Sequence, residues 1–174
     1  MKISETTLIE ASSDDTFSFL LSESYTRLLV QHIDVVHDIE EIARAQEDGE
    51  VITRVMRYSA STRDKVPKFL KKYEASAPEY VYWKQIERWD RARARMTYTI
   101  EAEIKDEWQR YYETRGVLML EKVGEQKTRQ VTELDYQVKV FGLGSLIERA
   151  LRDEISKLLA IQGQLAANHF SVQG

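Results

Sequence analysis

The closing module of the chain, residues 127–170, constrains its fold most: a long alternating strand turns through two glycines into the longest helical pattern present. In the strand, Thr132, Leu134, Tyr136, Val138 and Val140 share one parity, while Glu133, Asp135, Gln137 and Lys139 take the other. That period of two half-buries a strand. After Gly142 and Gly144, residues Leu146, Ile147, Ala150, Leu151, Ile155, Leu158, Leu159, Leu165 and Ala166 fall on one broad helical stripe. Neither element can leave its apolar face in water, so the helix is expected to lie across a curved sheet. What the two enclose is the functional question.

Upstream, residues 2–11 alternate loosely and read as a first strand. Ser12-Ser13-Asp14-Asp15 supplies a helix N-cap and first-turn carboxylates, with Ser12 and Asp15 at capping-box spacing. Phe17, Leu20 and Leu21 form the stripe of that helix, and a second short helix is predicted from Ser24, burying Tyr25, Leu28 and Leu29. From about residue 33 the period becomes two: Ile33, Val35, His37 and Ile39 alternate with Asp34, Val36, Asp38 and Glu40. Glu47-Asp48-Gly49-Glu50 is a polar turn with glycine where positive φ is cheap, and Val51 to Ser59 returns as its hairpin partner.

Residues 63–73 break the rhythm. Pro67 fits a first helical turn, with Phe69, Leu70 and Tyr73 on one face and Lys68, Lys71 and Lys72 on the other. Strands resume at about 79–89, 93–104, 111–122 and 128–141. The order is strand, two helices, six strands, long helix, and its short turns imply an antiparallel meander of α+β class.

At 174 residues the chain fits one domain, 1–174, with room for a substantial core. A net charge of −4 argues against nucleic acid as the partner, because phosphate neutralisation needs clustered excess Lys and Arg. With no cysteine, disulfides and thiolate metal sites are excluded. Met1 to Thr6 lacks the apolar core of a signal peptide, and no apolar run approaches the ~20 residues that span a bilayer. A cytoplasmic location is the expectation.

Chemistry-bearing patterns are sparse. His32 and His37 are an odd number of positions apart, so one regular strand would place them on opposite faces, and no metal site is expected. If Val35 and Ile39 face inward, His37 does too, and a polar group in an apolar cavity can orient a ligand. No Gly-x-Ser-x-Gly elbow occurs, and Ser145-Leu146-Ile147-Glu148 reads as a capping box rather than a nucleophile site. Gly142-Leu143-Gly144 follows a meander strand, so it reads as a turn and not a phosphate loop. No cofactor and no catalytic residue is called for.

The aromatics carry the stronger signal. Tyr80, Tyr82, Trp83, Trp89, Tyr98, Trp108, Tyr111, Tyr112 and Tyr136 are candidates to line a cavity, with core packing as the competing role. The basic insert 63–73 has two readings: a lid touching anionic membrane surface, or a solvated helix on the sheet rim.

Order and motifs together resemble the helix-grip fold of the START and birch-pollen-allergen (Bet v) superfamily, SRPBCC. A closer resemblance is to a bacterial START-like family, the domain of unknown function DUF2505. Val66-Pro67-Lys68-Phe69-Leu70, Glu87-Arg88-Trp89, and Val138-Lys139-Val140 with Gly144 and Ile147-Glu148 carry it. Phe141 departs from it, standing where that family's strand is expected to end in proline. The resemblance implies a seven-stranded antiparallel sheet wrapped around the C-terminal helix, two short helices between strands one and two, and an apolar pocket. It implies a hydrophobic or amphipathic partner such as a lipid, sterol or polyketide. On that architecture the pocket is expected to be lined by Tyr98, Ile100, Leu118, Leu120, Tyr136, Val138, Leu151, Ile155 and Leu158, with His37 as a polar candidate. The function expected is noncatalytic binding, with polyketide-cyclase-like chemistry or a peptide-binding groove as alternatives.

Overall fold

The structure, a computed structural model, describes residues 1–47, 49–61, 79–103, 112–139 and 144–172. Its elements run β1 (Lys2–Ile9), α1 (Ser13–Leu20), α2 (Glu23–His32), β2 (Val36–Glu47), β3 (Val51–Ser61), β4 (Tyr80–Asp90), β5 (Arg95–Ala102), β6 (Tyr112–Gly124), β7 (Lys127–Val138) and α3 (Gly144–Ser171). The strands make one seven-stranded antiparallel sheet in the order β1-β7-β6-β5-β4-β3-β2. Every strand from β2 to β7 pairs with its sequence neighbour, and β1 closes onto β7. This is the α+β helix-grip architecture that the pattern implies. The insert 63–73, its proposed membrane contact and Phe141 lie outside the described residues.

Local chemistry sets the boundaries. Ser12 Oγ accepts the Asp15 N–H at 3.1 Å and donates to Asp15 Oδ2 at 2.6 Å, which caps α1 as its spacing suggests. The second helix begins before Ser24, because Ser22 is its cap and accepts the Tyr25 N–H at 3.2 Å. It also runs further than the alternation indicates. His32 closes α2 and Ile33 caps it, so β2 starts only at Val36. At the β2–β3 turn Gly49 does adopt positive φ, +74°.

The start of α3 corrects another expectation. No capping box forms between Ser145 and Glu148; the Glu148 carboxylate instead accepts the Val138 N–H at 2.9 Å. Tyr136 donates its hydroxyl to the Glu148 carbonyl. The helix is thereby tied back to the end of the strand that leads into it. Further along, α3 crosses β1 at Gly163, where a Cβ would lie 2.2 Å from Thr7 Oγ1. Ser156 Oγ donates to Glu5 Oε1 beside that crossing.

The two ends of the grip are packed differently. At one end α1, α2 and the C-terminal half of α3 fill the space with aromatic contacts. Phe17 meets Trp89 edge-on at 5.3 Å, and Phe19 stacks on His169 at 3.8 Å. Ile9 and Ala166 are fully buried there. Towards the N-terminus of α3 the packing thins, and Leu151 is 37% exposed. No described helix is long and apolar enough to cross a membrane.

Candidate ligand-binding cavity

Beneath that thinner half of α3 lies a cavity of about 310 Å³. Its floor is the concave face of β3 to β7, its roof Leu151, Ile155, Leu158 and Leu159 of α3, and one end is closed by Ile33 and Val36. The cavity follows from strand register. Glu87, Tyr98, Gly116 and Leu134 stand side by side across β4, β5, β6 and β7 on the inward parity. Glycine at 116 is what the row requires: a Cβ there would sit 1.9 Å from Tyr98 Cζ. The tyrosine ring lies where a β6 side chain would otherwise stand.

The structure brings together Tyr98, Ile100, Leu118, Tyr136, Val138, Leu151, Ile155 and Leu158 around this space. Two residues of the expected set are elsewhere. Leu120, two positions beyond Leu118, is buried in the solid core and not on the cavity. His37 is exposed, its ring 4.7 Å from Tyr80, because a bulge between Val36 and Asp38 breaks the parity it would share with Ile39. Of the other aromatics, Trp83 lines the cavity, Trp89 belongs to the packed end, and Tyr82 is exposed. Trp108, Tyr111 and the Tyr112 side chain lie outside the described residues.

Sequence reasoning missed Tyr58, Gln85, Thr114, Thr132 and Leu134, which also line the space. Parity was the available signal: 58 shares it with Met56 and Ile52, and 85 with Trp83 and Trp89. It missed a buried ion pair as well. Arg54 and Glu87 face each other across β3 and β4, their side chains 5% and 2% exposed, with Arg54 Nε 2.5 Å from Glu87 Oε2. Trp89 Nε1 donates to the same oxygen at 2.6 Å, and Gln85 Nε2 donates to Oε1 at 2.8 Å. The remaining guanidinium N–H groups reach the Leu21 and Leu20 carbonyls at 3.3 and 3.5 Å, where α1 ends. Glu41 stands 3.8 Å from Arg54, and its carboxyl is held below the usual range chiefly by the hydrogen bonds from Arg44.

Three phenols surround this pair. Burial raises Tyr25, Tyr58 and Tyr98 well above the ordinary tyrosine value, and the charge on Glu87 adds to each shift. The sign is fixed by linkage. A group whose folded value is raised contributes stability below its unfolded value of 10.0 and loses it as pH climbs towards the folded one. A spectrophotometric alkaline titration is therefore expected to leave three phenols un-ionised until the protein unfolds. Reversible ionisation of all nine tyrosines in the folded state would contradict it.

Nothing in the site points to a metal. Among the described residues no group of three His, Cys, Asp or Glu side chains converges. His32 instead places Nδ1 3.0 Å from the Leu28 carbonyl.

Known structures share this architecture at low identity. TTHA0849 from Thermus thermophilus is 16% identical with a TM-score of 0.63, the match covering 94% of this chain and 95% of that one. A START superfamily protein from Mycobacterium smegmatis is 15% identical with a TM-score of 0.61, covering 97% of each. The Zhui aromatase/cyclase from Streptomyces sp. R1128 is 14% identical with a TM-score of 0.59, covering 94% of this chain and 92% of that one. No curated protein sequence matches the chain. A family model does match, across residues 4–169, which contain every strand pair of the sheet and nearly all of α3. That family is described as a protein of unknown function, DUF2505, and the chain belongs to it.

Proposed function

We propose that the chain, 1–174, works as one START-like domain that binds a hydrophobic or amphipathic small molecule in this cavity and carries it without chemical change. The observation that carries this reading is the cavity itself. Its walls are mostly aliphatic and aromatic, most of its polar groups stand on the sheet, and among the described residues none that lines it is charged. The proposed ligand contacts are Tyr98, Ile100, Leu118, Tyr136, Val138, Leu151, Ile155 and Leu158, joined by Tyr58 and Trp83. Each ligand CH₂ taken from water contributes up to ~0.8 kcal/mol, so apolar walls alone supply useful affinity. The partner is this ligand, not nucleic acid, and the site of action is the cytoplasm.

The names of some fold relatives, an aromatase/cyclase and a norcoclaurine synthase among them, raise cyclase-like catalysis as a second reading. It would need a residue free to move a proton. Glu87 is a buried carboxylate beside the lining, and both its oxygens are held by Arg54, Trp89 and Gln85. That closed arrangement, with the Tyr58 and Tyr98 phenols held protonated by burial, favours binding over proton transfer.

Native mass spectrometry of protein purified from its own host, followed by organic extraction, tests the proposal. A recurrent adduct of defined mass is expected. Repeatedly clean apo mass under conditions that preserve the fold would sink tight carriage.

A further inference from the structure

The chemistry of the cavity's inner end narrows the ligand class, an inference that rests on the reading of this space as a binding site. Four tyrosines stand along or beside the cavity, and two are already engaged: Tyr25 donates its hydroxyl to the Gln162 carbonyl at 3.1 Å, and Tyr136 to the Glu148 carbonyl. Tyr58 and Tyr98 differ. Each is only 8% exposed, each lines the cavity, and neither hydroxyl has a hydrogen-bond partner among the described residues. Neither phenol oxygen is among the buried polar atoms sealed without a partner, so both open onto the cavity, and a cavity with two such donors is prepared for an oxygen acceptor. Their positions are rigid. Tyr58 stacks on Trp83 at 5.2 Å and 9°, and Tyr98 is seated over Gly116.

Charge decides what kind of oxygen. Among the described residues no lysine, arginine or histidine lines the cavity, and Arg54, the buried cation nearby, is consumed by Glu87 and the end of α1. A carboxylate or phosphate moved into this space would lose its hydration and meet no counter-charge. It would also meet the burial that raises both phenols, with the charge on Glu87 adding to it. An uncharged oxygen has none of these costs.

We propose that the cavity selects an uncharged hydrophobic molecule whose carbonyl or hydroxyl oxygen accepts hydrogen bonds from the Tyr58 and Tyr98 hydroxyls, and discriminates against fatty-acid-like anions. Gln85 Nε2 is held by Glu87, which leaves Gln85 Oε1 as the acceptor for a ligand hydroxyl.

Calorimetric titration of the whole protein with naphthalene, methyl naphthyl ketone and naphthoate tests this at a pH where the acid is ionised. The three probes share one ring system and differ in the polar group. The ketone is expected to bind at least about tenfold more tightly than naphthoate. Tyr58→Phe and Tyr98→Phe are each expected to weaken the ketone about two- to tenfold and to leave naphthalene unchanged. Naphthoate binding as well as the ketone overturns the inference, as does naphthalene and ketone binding that both phenylalanine variants leave untouched. Failure of the cavity reading has a different signature, since then none of the three probes binds the folded protein, and the inference falls with it.

Discussion

Arg54→Met is expected to lower the free energy of unfolding by about 3–5 kcal/mol in urea denaturation, the largest effect of any single substitution considered for this protein. The pair it breaks is nearly dry, with side chains 5% and 2% exposed. Without Arg54, the Glu87 carboxylate keeps its bonds from Trp89 and Gln85 but loses its counter-charge. The Leu20 and Leu21 carbonyls at the end of α1 lose their donors too. Arg54→Lys is not expected to rescue, since one ammonium cannot span the fork from β4 to α1. The double variant Arg54→Met with Glu87→Leu is expected to recover much of the loss, because it removes both desolvated charges rather than one. If the single variant stays within about 1 kcal/mol of the parent, water reaches the pair in solution and its burial here is wrong.

That pair also marks the boundary of what the sequence discloses. Periodicity made the succession of strands, the two short helices after β1 and the long closing helix legible, since each buries a face whose spacing is visible in one dimension. Caps were legible for the same reason: Ser12 and Asp15 lie within one turn. Glu87 and Arg54 lie 33 positions apart, and a charged residue on a strand reads as solvent-facing until its cross-strand partner is known. Only the β3–β4 register supplies that partner. His37 failed through a subtler cause, since a single bulged position reverses the parity on which its inward orientation depended. The helix stripe marked Leu151, Ile155, Leu158, Leu159, Leu165 and Ala166 as turned towards the sheet, but nothing in it distinguishes the packed half from the half over the cavity. That difference arises from α1 and α2, whose Phe17, Phe19 and Tyr25 fill only one end.

This asymmetry along α3 makes Ile155→Trp the sharpest probe of the cavity. Ile155 is half-buried on the roof, so the added indole extends into space that the native protein leaves unfilled. Ligand affinity is expected to fall by about tenfold or more, because the ring occupies volume the ligand's apolar body needs. Stability is expected to hold within about 1 kcal/mol, since burial of the indole offsets its loss of rotamer freedom. The contrast is Ala166→Trp at the packed end, where the native side chain has no exposure. There the same bulk is expected to cost about 2–3 kcal/mol by overpacking. Calorimetric titration with naphthalene and urea denaturation, run on both variants, read the two effects separately. An Ile155→Trp protein that is folded and retains full affinity would place the ligand elsewhere, whereas one that unfolds like Ala166→Trp would show that the two halves of the grip are packed alike.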